Sequence, residues 1–152
     1  PVTQEVAGSS PVRSAIIMLN FLSTLIFSFQ LGIIFYQVLI FSFHLRDHPS
    51  IADFRALANK SFTLFFGYLL VLNILLLLIS FLQQSYFLHY IGLIAFVHAL
   101  LGLVLVPLMK FFSNRDMGKA FSFCHMVSLY ITLYLAISSM VGLYQILFHL
   151  NA

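Results

Sequence analysis

Between Phe21 and Arg46 the chain is almost wholly apolar, broken by a polar row in which Ser23, Gln30, Gln37 and His44 recur every seventh residue. A straight helix drifts only about 20° per heptad, so these four side chains share one stripe. The run exceeds the roughly 20 residues needed to cross a bilayer core. A primary amide in hydrocarbon needs partners, so Gln30 and Gln37 are expected to face other helices of a bundle and not lipid.

Three further apolar stretches follow, each bounded by polar or turn-forming residues. The pattern predicts helix 1 from Ser14 or Met18 to His44, helix 2 over 56–83, helix 3 over 86–112 and helix 4 over 119–150. Pro49 disfavours a helical His48, and Ser50 can cap a short interfacial helix opening at Ile51. Gln84 and Ser85 make a tight uncharged connection, and Ser113 to Gly118 a polar turn. Pro107 lies near the end of helix 3, where it is expected to kink or loosen the last turn. The predicted fold is therefore all-α, an integral membrane four-helix bundle running up-down-up-down.

Composition agrees. The chain is 62% hydrophobic and 7% charged, against about 25% charged in a soluble domain. Aromatic residues are Phe and Tyr only, so any interfacial belt must come from tyrosine. The single cysteine, Cys124, excludes an intrachain disulfide. The net charge of +3 is small and tied to connections, which argues against nucleic acid as a partner. It carries orientation instead. Arg46, Arg55 and Lys60 surround the first connection and Lys110, Arg115 and Lys119 the third, leaving only Arg13 elsewhere. By the positive-inside rule, loops 45–58 and 113–118 are cytoplasmic and both termini outside, in a cell inner (cytoplasmic) membrane.

Residues 1–17 are expected to form a disordered tail ahead of the transmembrane domain at 18–152. Val6 to Ser14, VAGSSPVRS, is similar to strings produced when the end of a bacterial transfer-RNA gene is translated. That resemblance implies a non-native tail with translation from Met18. An ordinary disordered terminus is the alternative, and neither carries chemistry.

Depth can be set by taking the centre of each apolar span as the midplane. At about 1.5 Å of rise per residue, Gln30, Asn73, His98 and Thr132 fall within about 5 Å of it, one from each helix. They are expected to point inward, with at least two pairs hydrogen-bonded. Small residues at Gly92, Ala95, Ala99 and Gly102 form a stripe on helix 3 that lets backbones approach closely, flanked by His98. Helix 4 carries His125, Ser128, Thr132, Ala136 and Ser139 on one face, and helix 2 repeats Asn59, Asn73 and Ser80 at multiples of seven. Such groups serve as interhelical glue worth about 0.6 kcal/mol per bond. Intramembrane histidines are also functional candidates. No Asp, Glu, Lys or Arg lies near the midplane, which argues against a carboxylate proton carrier or ion pump.

Three functional readings follow. The first is a small non-catalytic membrane subunit or accessory protein with a polar intramembrane seam. Its partners would be the lipid bilayer and either a larger membrane complex or further copies of itself. The second is a haem-binding, cytochrome-like redox subunit with haem b held by His44 and His125, about 5 Å apart in depth, and Gln37 nearby as a supporting hydrogen-bond group. His98 and His125 differ by about 13 Å, too far for one iron. The third is a metal- or small-solute-handling protein, for which His44 and His48 offer an H-x3-H pair that Pro49 compromises.

Overall fold

A computed structural model describes residues 11–47, 51–115 and 117–149. Four helices account for nearly all of them: α1 (Pro11–Asp47), α2 (Ile51–Gln83), α3 (Tyr86–Asn114) and α4 (Gly118–His149). Each contains a segment long and apolar enough to cross a membrane. Large apolar side chains such as Phe29, Phe35, Phe81, Phe123 and Phe148 stand more than 60% exposed around the outside. That surface suits hydrocarbon as solvent, and soluble monomers rarely show one so extensive. The fold is a four-helix integral membrane bundle.

The boundaries expected from sequence hold to within a few residues at most ends, with two differences. α1 is already helical at Pro11, ahead of Met18, so the described part of the expected tail is helical. Residues 1–10 lie outside the described residues. The short helix expected at Ile51 is not separate but runs straight on as the first turns of α2. α3 also continues through Pro107 as far as Asn114.

The α2–α3 connection closes by backbone hydrogen bonds. Ser85 N–H donates to Ser80 O and Gln84 N–H to Phe81 O, both at 3.2 Å, with Gln84 at φ 52°. This is the Schellman arrangement, with glutamine where glycine is usual. Ser85 then caps α3, its Oγ accepting from Leu88 N–H at 3.5 Å.

Pairs of contacts run in reverse order along neighbouring helices. Asn20 meets Gln83, Gln30 meets Asn73, and Gln37 meets Ser61, so α1 and α2 are antiparallel. Ser80 meets His89 and Phe66 lies over Gly102, so α2 and α3 are antiparallel too. α1 and α4 pair through Gln30 with Ser139 and Phe27 with Gly142.

The predicted small-residue stripe on α3 is buried along its whole length, from Gly92 through Ala95 and Ala99 to Gly102. Its purpose is visible at Gly102, where a Cβ would overlap the Phe66 ring, and again on α4, where one at Gly142 would overlap Phe27. Absent side chains let these rings lie directly against a helix backbone, as close packing in lipid requires.

Candidate functional site

The buried apolar residues form two clusters. One gathers Ile34, Phe65, Phe66, Leu69, Ala99 and Leu135 with their neighbours. The other gathers Ile26, Phe27, Leu76, Leu88 and Ile146. On three helices a polar residue stands between the two: Gln30 on α1, Asn73 on α2 and Ser139 on α4. They are hydrogen-bonded to one another. Ser139 Oγ donates to Gln30 Oε1 at 2.8 Å, and Gln30 Nε2 donates to Asn73 Oδ1 at 3.0 Å. Asn73 Nδ2 finishes the chain on Leu69 O of its own helix at 2.8 Å. Ser139 Oγ also lies 2.8 Å from Leu135 O. All three residues are at most 2% exposed. The polar stripe of α1 thus faces the interior, because only there can an amide find donors and acceptors in hydrocarbon.

Of the four residues expected at this level, the structure joins Gln30 and Asn73 and places the other two elsewhere. Thr132 is buried, but its hydroxyl donates to Ser128 O, one turn back on its own helix, at 2.9 Å. Its place is taken by Ser139, one heptad further along. The cause is an offset: pairing Gln30 with Ser139 sets the midpoints of α1 and α4 about 10 Å apart along the bundle. Span centres therefore misjudge depth on α4. His98 is only partly buried and lies where α3 meets α4. Its ring stacks on Tyr134 at 4.1 Å between centroids, and its Nδ1 lies 2.8 Å from Ile94 O. α3 brings only small residues to the interior at this depth, so the layer is built from three helices.

The seam continues to either side. Toward the α2–α3 turn, Gln83 Nε2 donates to Asn20 Oδ1 at 3.0 Å, and Ser80 Oγ contacts His89 Nδ1 at 3.3 Å while donating to Leu77 O. Toward the other end, Ser61 Oγ donates to Gln37 Oε1 at 2.9 Å. Asn20 was not among the residues singled out from sequence. It lies off the seven-residue row, three positions before Ser23, and its signal was a lone amide inside an apolar run. Among the described residues, four buried polar atoms have no hydrogen-bond partner: Ser23 Oγ, Gln37 Nε2, Gln83 Oε1 and Ser128 Oγ. Three of them belong to the stripes of α1 and α4 read from sequence. They are hydrogen-bonding capacity held inside the bundle.

Of the histidines proposed for a cofactor, His125 alone has a described side chain. His125 is partly buried, with the Phe62 ring edge-on at 6.0 Å and the Phe121 ring near-parallel at 6.3 Å between centroids. The side chain of His44 lies outside the described residues, as does the whole of His48, and so both the His44–His125 and His44–His48 pairings rest on sequence alone. Among the described residues no three His, Cys, Asp or Glu side chains come together as metal ligands would. Cys124, beside His125 in sequence, is buried as a small apolar group.

No protein-family model, curated protein or solved structure matches this chain.

Proposed function

We propose that this protein is a small non-catalytic subunit or accessory component of the cell inner membrane. In this reading it crosses four times, up-down-up-down, with both termini outside and loops 45–58 and 113–118 cytoplasmic. The observation that carries the reading is the Ser139–Gln30–Asn73 relay, which ties three helices together with neutral amide and hydroxyl groups only. Amides and hydroxyls in hydrocarbon fix register and helix choice, since each wrong pairing leaves a polar group unsatisfied. Very little of the described chain lies outside the four helices, and the contacts with other proteins in this reading are made within the bilayer.

Purification in mild detergent tests this. The expected result is a stable complex with a second membrane protein or with further copies of the chain, and loss of that complex in a Gln30→Leu variant that remains helical. A purified monomer that binds haem, seen as a Soret band, or that turns over a substrate would replace this reading.

A further inference from the structure

Within the apolar span of α3, His98 presents a hydrogen-bond acceptor that no described residue uses. A carbonyl oxygen can only accept, so the 2.8 Å contact between His98 Nδ1 and Ile94 O places the ring proton on Nδ1. In the neutral imidazole Nε2 is then a bare lone pair, on the edge of the ring away from the backbone. Among the described residues, the hydrogen bond that His98 makes is the one through Nδ1, and no donor to Nε2 is found. One face of the ring is covered by Tyr134. The ring lines an open groove of about 420 Å³, walled mainly by Val127, Tyr130, Leu133 and Ile137 with Ile131 beneath.

An unpaired acceptor in the hydrocarbon calls for a donor. A partner helix is a poor fit, because close helix contacts in lipid use Gly, Ala, Ser or Thr, and this groove is lined by bulky side chains. A flat ring carrying a hydroxyl fits better. Tyr130 lies one turn before Tyr134 on the same face, and about 6 Å along the axis it brings a second phenol to the groove.

We propose that the His98 groove binds a lipid-soluble quinol or phenol. One ligand hydroxyl donates to His98 Nε2, and the ligand ring lies against the tyrosine-lined wall. The site is on the outer surface of α3 and α4 and does not depend on the interior seam.

The test uses the full chain in phosphatidylcholine nanodiscs, with ¹⁵N-labelled histidine. The probes are decyl-trimethylhydroquinone, kept reduced, and its dimethyl ether, which has the same shape and no donor. The hydroquinone is expected to move the Nε2 resonance of His98, identified by its loss in His98→Phe, and to bind about tenfold more tightly than the ether. Equal affinity for the two probes, or an unmoved His98 resonance at saturation, overturns the proposal. So does disulfide capture of a second chain by a Leu133→Cys variant, which would mean that a helix covers the groove. Comparing two probes on the unaltered protein keeps the affinity test valid even if His98→Phe fails to fold.

Discussion

Ser139 Oγ donates to Gln30 Oε1 at 2.8 Å, joining the last helix to the first across 109 residues of chain. Gln30 passes the connection to Asn73, so one side chain holds three helices at a common level between two apolar clusters.

Removing that side chain should cost more than one bond. Gln30→Leu strands the Asn73 acceptor and deprives the Ser139 hydroxyl of its interhelical partner, and is expected to destabilise the bundle by about 1–2 kcal/mol. The double change Gln30→Leu with Asn73→Leu should recover part of the loss, because it removes both partners of one bond. Reversible unfolding in mixed detergent micelles measures both. Strict additivity of the two changes would show that the bond contributes nothing in solution.

Gly102→Ala is expected to destabilise the protein by about 1–3 kcal/mol, since the new methyl group overlaps the Phe66 ring. Gly32→Ala is the internal control. Nothing lies within 4 Å of a Cβ at Gly32, and alanine is the better helix former, so stability should hold or rise. Thermal melts of the two variants side by side give the comparison, and a harmless Gly102→Ala would place Phe66 elsewhere.

The turn at Gln84 offers a stabilising change. Its backbone sits at φ 52°, where a side chain costs roughly 1 kcal/mol relative to glycine. Gln84→Gly should therefore raise the melting temperature by a few degrees, provided the freedom gained by the unfolded chain does not cancel the gain. The Gln84 side chain is exposed, so little else is lost. A lowered melting temperature would show that the strain relieved is smaller than the freedom gained by the unfolded chain.

Sidedness can be read by single-cysteine labelling in a Cys124→Ala background. An impermeant maleimide applied to intact cells should modify Gln84→Cys and spare Asn114→Cys, with the reverse in inside-out vesicles. The expectation rests on six of the seven Lys and Arg residues flanking the first and third connections. Labelling of position 84 from the cytoplasmic face alone would invert the topology.

The sequence by itself determined the four helices, the inward face of α1 and the small-residue stripe of α3. Each is a local consequence of period and polarity: apolar runs of bilayer length must be helical, and amides within them must turn from lipid. Ser23, Gln30, Gln37, Asn73 and Ser80 are all buried, as their spacing required. Only the tertiary structure decided which residue meets which. Register between helices depends on how whole surfaces interlock, here on Phe27 seating against Gly142 and Phe66 against Gly102, and no period within one helix encodes it. That offset made Ser139, and not Thr132, the partner of Gln30. It also left His98 at the α3–α4 boundary, stacked on Tyr134, because the interior position at that depth on α3 had to be small for the backbones to close.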